Sequence, residues 1–276
     1  MGSARNCLRE THHCTLVHWY QQAGAGRIVN YCDISRLVPA LNASIKRSSA
    51  VLAVTRAVLF DLDGTLLDTA PDMVGALNQL LNENGRAALP FKDIRCSVSH
   101  GARALVRLGF PEAREPEFEQ FRRRFLDIYR TRLAVETQVY DGVLDAVARL
   151  ETAGVLWGIV TNKPGALTLP LLEHFGLHAR ANVIVSGDSL AQRKPHPAQL
   201  LHAAAKLGVH PGECIYIGDA ERDVLAGRAA GMKVYVALFG YIPSSERADN
   251  WPADGWLHSP AAMVDLLRTV GPVLPS

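Results

Sequence analysis

No apolar run in this 276-residue chain approaches the eighteen or so residues that a membrane-crossing helix needs. No adequate apolar core follows a basic start, so a secretory signal is not supported. Cysteine is scarce beyond the first 50 residues, where only Cys96 and Cys214 of the five remain. No disulfide framework is indicated, and a reducing, cytoplasmic setting is expected. Charge of one sign is not in surplus: 29 basic and 27 acidic residues leave a net charge of +2, which argues against nucleic acid as a partner. Internal repeats and low-complexity tracts are missing. So is a GxGxxG turn after the first strand, which removes the dinucleotide-binding fingerprint.

What is present suits one sizeable α/β domain, or a core with a smaller insert, since 48% of residues are hydrophobic. The first 50 residues differ from the rest. They hold six basic and two acidic residues, against 23 and 25 in the remainder, together with Cys7, Cys14, Cys32, His12, His13 and His18. The spacing of Cys7, His12, His13 and Cys14 matches no common zinc pattern. The arginines suggest a transit peptide, but no long amphipathic stretch follows and Asp33 interrupts the basic run. Residues 1–53 are read as a disordered extension or a start assigned too far upstream.

The sharpest signal is AVLFDLDGTLLDTAPD at 57–72. Apolar residues 57–60 run directly into Asp61, Asp63 and a Gly64-Thr65 turn, the pattern of a buried parallel strand whose carboxyl end carries polar groups. In open α/β sheets ligands bind at that edge. Two carboxylates one residue apart repel unless a cation or a shared proton separates them. This suggests a metal-assisted site with one nucleophilic and one proton-transferring carboxylate. On its own the same stretch also reads as an exposed turn and a helix cap.

Helical spacing follows over 70–84, 100–109, 114–132 and 142–153, before any second strand. Strands are expected at 156–160, 183–185, 215–217 and 234–237, the last taken as the final core strand. Helices separate them, 197–207 among these, and 260–269 is expected as a final helix. The pattern predicts an α/β fold: a Rossmann-like doubly wound parallel sheet with an inserted helical cap subdomain. The expected boundaries are 54–71 and 140–276 for the catalytic core and 72–139 for the cap.

Polar groups recur just past the strand ends: Thr161-Asn162, Lys194 in a KPHP segment, and Asp219 with Asp223 in GDAERD. Each also has a plain role as a cap or a solvated loop residue. Together they make a phosphoryl-transfer site. Asp61 and Asp219 are suited to hold Mg²⁺ with help from the Asp63 carbonyl. Thr161, the Asn162 amides and Lys194 are placed to take phosphate oxygens, and Asp63 to protonate the leaving oxygen and then activate water.

In this order, the segments DLDGT, TN, KP and GDxxxD resemble the haloacid dehalogenase superfamily over roughly residues 54–270. That resemblance implies that Asp61 forms an aspartyl-phosphate and Asp63 serves as acid/base. It also implies that Thr161 and Lys194 stabilise the transferring group, that Asp219 ligates Mg²⁺, and that Asp223 supports the metal through water or through Lys194. DTAPD, VTNKP, KPHP and Phe239-Gly240-Tyr241-Ile242 are most similar to phosphoglycolate phosphatases. SHGARAL, LWGIVTNKP and the FGYI…DNWPADGW tail are closer still to the bacterial N-acetylmuramic acid 6-phosphate phosphatase branch.

Rival activities fit less well. Asp63 argues against true dehalogenases, which lack the second carboxylate. Phosphonatases replace that Asp and use a Schiff-base lysine, and Met73 stands where related hexose-phosphate mutases usually place a histidine. The expected activity is Mg²⁺-dependent hydrolysis of a small carboxylated phosphometabolite, 2-phosphoglycolate or N-acetylmuramic acid 6-phosphate. A broader sugar phosphatase or mutase is the alternative, and a silent binding protein a more distant one. The chain is expected as a monomer or homodimer. Substrate contacts are assigned to Asn162 in the core and to Ser99, His100, Gly101 and Arg103 in the cap, with Arg103 facing a substrate carboxylate. Arg122, Arg123 and Arg124 are read as a solvated helix face, and Trp157, Trp251 and Trp256 as packing residues.

Overall fold

The computed structural model describes residues 55–270. The extension, its cysteines and its histidines lie outside the described residues. Strand β1 (Ala57–Phe60) is buried at every position and runs parallel between β4 (Leu156–Val160) and β6 (Cys214–Gly218). With β5 (Val183–Val185), β7 (Lys233–Ala237) and β8 (Gly255–Leu257), the sheet has the order β5-β4-β1-β6-β7-β8, parallel throughout. Both faces are covered, which is why the central strands are apolar at successive positions rather than alternating.

The pleat divides those residues between two cores. Val58 and Phe60 pack with Trp157, Ile159, Ile215 and Ile217. The layer over them comes from α5 (Val143–Thr152), α6 (Gly165–His174) and α9 (Pro260–Arg268). Ala57 and Leu59 point the other way, against α7 (Ala198–Leu207) and α8 (Glu221–Ala229). Burying Val58, Leu59 and Phe60 contributes about 2 kcal/mol each. The centre of the sheet is therefore a firm base for whatever follows Phe60.

Between β2 (Leu67–Asp68) and β3 (Gln138–Val139), an antiparallel two-residue ribbon, the chain inserts a set of helices with their own core. These are α1 (Ala70–Glu83), α2 (Phe91–Ile94), a 3₁₀ segment (Arg95–His100), α3 (Gly101–Gly109) and α4 (Glu117–Thr131). Leu77, Leu80, Phe110 and Phe125 are among the residues buried there. We propose the β2–β3 ribbon as the boundary between core and cap. Asp72 braces it: fully buried, it accepts bonds from Glu136 N (3.0 Å), Thr137 N (2.8 Å) and Thr137 Oγ1 (2.7 Å).

One expectation is corrected. Strand β7 is not the last core strand, because β8 adds beside it through Tyr235, Val236 and Ala237. Three residues with Trp256 half-exposed are too short to show a strand period. No helix among the described residues is long and apolar enough to cross a membrane.

The topology fixes where a site falls. The chain leaves β1 for β4 and β5 on one side, then returns to β6 and continues to β7 and β8 on the other. The crevice at the carboxyl ends of β1 and β6 is the switch point at which such sheets bind ligands.

Candidate active site

Asp61 is the first residue past β1 and is 3% exposed. Its amide donates to Ile217 O (2.8 Å), locking it to β6, and its Oδ1 accepts from Leu62 N (2.8 Å). Lys194 Nζ lies 3.0 Å from the same oxygen. That ammonium is also 2.7 Å from Asp223 Oδ1 and donates to Tyr216 Oη (2.7 Å) and Val160 O (2.9 Å). Lys194, a candidate for phosphate oxygens, neutralises two buried carboxylates here, one of them Asp61.

Asp219 follows β6 and is buried. Its Oδ2 accepts from Tyr241 N (2.8 Å) and Ser99 Oγ (3.0 Å), while Oδ1 is buried with no hydrogen-bond partner. Two glycines make room for it. A Cβ on Gly64, whose φ is +82°, would lie 2.2 Å from Asp219 Oδ2, and one on Gly240 would lie 2.3 Å from Asp219 Cβ. The FGYI segment thus shapes the site. Tyr241 also donates to Asp68 (2.8 Å), and Arg95 holds Gly240 O (2.8 Å) and Phe239 O (3.1 Å).

Burial, followed by the charges of Asp223 and Asp61, pushes the Asp219 carboxyl up to about 7. Burial likewise raises Asp61, against the pull of Lys194. Asp223 moves down, because Lys194 and then Arg222 outweigh its burial. Arg222 lines the same cavity and acts on all three carboxylates; sequence reasoning assigned it no role.

The residues fit a divalent cation. Asp61, Asp219 and Asp223 each offer an oxygen within 4.8 Å of the others, and the orphaned Asp219 Oδ1 is the group that such an ion would satisfy. An all-oxygen, carboxylate-rich set suits Mg²⁺. The Asp63 carboxylate is not part of this set.

A cation bound here would stabilise the fold in a pH-dependent way. A carboxyl whose pKa is higher in the folded protein than in the unfolded chain binds its proton more tightly when folded. Asp219 therefore withdraws stability from the metal-free protein as pH rises from about 4 to about 7, up to about 4 kcal/mol. Asp223, shifted the other way, acts only below that window. Mg²⁺ should raise Tm more at pH 8 than at pH 5 in scanning calorimetry against EDTA. An equal or larger gain at pH 5 would refute this assignment.

Asp63 points elsewhere. Its Oδ1 accepts from Thr69 Oγ1 (2.6 Å) and Lys163 Nζ (2.8 Å). Thr161 is buried and accepts from Lys163 N (3.2 Å). The Asn162 carboxamide bonds the Lys194 backbone: Nδ2 donates to Lys194 O (2.9 Å) and Oδ1 accepts from Lys194 N (3.1 Å). It shapes the loop that carries Lys194. Gln199 does the same from α7 and left no signal in the sequence, where it reads as a polar helix residue.

Asp61, Asp63, Thr161, Asn162 and Lys194 border a cavity of about 460 Å³, as do Ser99, His100, Gly101 and Arg103 from the inserted helices. Arg103 is exposed, stacks on Phe118 at 5.0 Å and lies 3.7–3.8 Å from Glu115 and Glu119. The expected common solvated face of Arg122, Arg123 and Arg124 is corrected. Arg122 lines the cavity, held by Glu119 (2.6 and 2.8 Å), whereas Arg123 is exposed and Arg124 pairs with Glu83. Consecutive helical residues diverge by roughly 100°, so one of the three turns inward. Met73 also borders the cavity, offering a thioether where a mutase-like base would be needed. Trp157 and Trp251 are buried, while Trp256 is partly exposed and donates to Ala248 O (2.9 Å).

A buried carboxylate at a switch point, a cation-suited triad and a helical insert beside the cavity match what the resemblance to the haloacid dehalogenase-like hydrolases implies. The family model matches residues 58–237, and the chain belongs to that family. It is a phosphatase-type enzyme. The phosphoglycolate phosphatase of Xanthomonas campestris pv. campestris is 45% identical over 205 residues, covering 74% of this chain and 93% of its own. The N-acetylmuramic acid 6-phosphate phosphatase of Pseudomonas aeruginosa is 39% identical over 213 residues, covering 77% and 94%. Among solved structures, a predicted phosphoglycolate phosphatase from Haemophilus somnus superimposes with a TM-score of 0.71 at 26% identity, covering 78% and 97%.

Proposed function

We propose that this enzyme hydrolyses a small carboxylated phosphomonoester through an aspartyl-phosphate on Asp61. The observation that carries the reading is the setting of Asp61. It is a buried carboxylate 3.0 Å from Lys194 that borders the same cavity as Asp63. The Asp61 carboxylate attacks phosphorus, the P–O ester bond breaks, and Asp63 gives its proton to the leaving oxygen. Asp63 then takes a proton from water as that oxygen bonds to phosphorus and the P–O bond to Asp61 breaks. Inorganic phosphate leaves and Asp61 is restored.

Asp61, Asp219 and Asp223 would hold Mg²⁺, with the Asp63 carbonyl as a further ligand. The ion would supply charge neutralisation between nucleophile and phosphate dianion. Lys194 keeps Asp61 beside a fixed positive charge, and Thr161 borders the phosphate end of the cavity.

The substrate assignment rests on 2-phosphoglycolate and N-acetylmuramic acid 6-phosphate, which the names of the two relatives above supply and which both carry a carboxylate. His100, Arg103 and Arg122 border the cavity and suit an anion away from the transferring phosphate.

Phosphate release with Mg²⁺ from both compounds and a set of hexose phosphates tests this reading. One carboxylated substrate should lead by about a hundredfold in kcat/KM, roughly 2.7 kcal/mol of discrimination. Arg103→Ala and Arg122→Ala should raise its KM with kcat nearly unchanged. Equal, poor rates for every compound would reject the substrate assignment.

A further inference from the structure

Lys163 belongs to the TNKP segment, yet the mechanism above gives it nothing to do. It is 8% exposed, and its ammonium touches Asp63 Oδ1 (2.8 Å) and Tyr129 Oη (2.8 Å). The Tyr129 ring lies 4.8 Å beneath the charge. Tyr129 is 1% exposed and sits on α4, the helix that also sends Arg122, Phe125 and Leu126 to the cavity wall. Three parts of the chain thus meet at one ammonium: the turn after β1, the turn after β4, and the inserted helices.

A buried ion pair is weak evidence for stability, because desolvation offsets its attraction and an apolar pair of like volume often serves better. This pair does something an apolar one would not. Lys163 and Thr69 both donate to Oδ1 of Asp63, and no donor among the described residues binds Oδ2. The carboxylate is pinned by one oxygen and presents the other.

We propose that Lys163 is the positioning residue for the acid/base Asp63, and that Tyr129 holds Lys163 in that role. The inference rests on the reading of Asp63 above. Lys163 touches no reacting atom. It fixes the rotation of the Asp63 carboxylate so that Oδ2 delivers and collects the proton, and α4 thereby contributes to the chemistry as well as to the cavity wall.

Leaving-group dependence separates positioning from bulk structure. An alkyl phosphate needs its leaving oxygen protonated, whereas 4-nitrophenyl phosphate releases nitrophenolate without a proton. Hydrolysis of the aspartyl-phosphate needs the base in either case. Lys163→Met should therefore lower kcat on the best alkyl phosphate of the panel by about a hundredfold, with KM within about threefold. On 4-nitrophenyl phosphate it should give a burst of nitrophenolate near one per active site, followed by slow turnover. Tyr129→Phe keeps the ion pair, so the same burst should appear with a smaller loss, and it decides the matter should Lys163→Met fail to fold.

Equal losses on both substrates with no burst, in a variant with unchanged circular dichroism, would overturn the proposal. Asp63→Asn run in parallel isolates the underlying reading. A burst in Asp63→Asn but in neither other variant removes the role of Lys163 alone. Its absence from Asp63→Asn overturns the acid/base reading itself.

Discussion

Asp61→Asn should abolish turnover while leaving the metal-free protein as stable as the wild type, or more so. The loss in kcat should reach about 10⁴-fold, roughly 5.5 kcal/mol of transition-state stabilisation, since the amide is a poor nucleophile and no neighbour replaces it. The stability follows from electrostatics. Burial and the neighbouring carboxylates Asp223 and Asp63 already raise the Asp61 pKa, so its charged form is held at a cost. An amide of the same shape removes that cost and leaves Lys194 paired with Asp223 (2.7 Å). Function here opposes stability, as it does wherever like charges are gathered for chemistry. Steady-state phosphate release and a thermal melt in EDTA read both halves. Retained activity, or a large drop in Tm, contradicts the assignment.

Lys194→Met should have the opposite balance, losing both activity and stability. The ammonium is fully buried between Asp61 and Asp223, and its removal leaves two buried carboxylates without their shared cation. Breaking a buried pair in this way costs about 3–5 kcal/mol. For a domain of this size, that lowers Tm by about 10 °C. Losing the lysine raises both carboxyl pKa values in the folded state, so the deficit should shrink as pH falls and the carboxyls take up protons. Activity should fall with it, because Asp61 loses its fixed counter-charge. A melt series from pH 5 to pH 8 is the check, and a deficit that grows towards acid would show that the carboxylates are not what the lysine stabilises.

Much of this fold is legible in the sequence. The strands that became β1, β4 and β6 stand out as apolar runs because both faces of a parallel sheet are covered, and each ends on the residues that line the crevice. The insertion was visible as helical spacing where a second strand should have come. Strand β8 was not, since its pairing comes from β7 and not from its own three residues. Asp61, Asp63, Lys194, Asp219 and Asp223 could be chosen by type and order.

Their partners could not. Lys163 meets Asp63 across 100 residues of chain, and Tyr129 reaches it from the inserted helices. Asn162 and Lys194 suit phosphate by their chemistry, but sequence alone does not show that the Asn162 carboxamide bonds the Lys194 backbone or that the lysine pairs with Asp61 and Asp223. Arg122 was hidden by its neighbours, as three consecutive arginines read as one charged surface until the helix turns one of them inward.

The central claim is a covalent bond between phosphorus and Asp61, and chemical trapping tests it most directly. Enzyme turning over its best substrate with Mg²⁺ is quenched in acid, reduced with borohydride and mapped by peptide mass. An acyl phosphate on Asp61 is expected to appear as homoserine at position 61, in wild type and not in Asp61→Asn. Reduction at another carboxylate, or none while phosphate is being released, would contradict it.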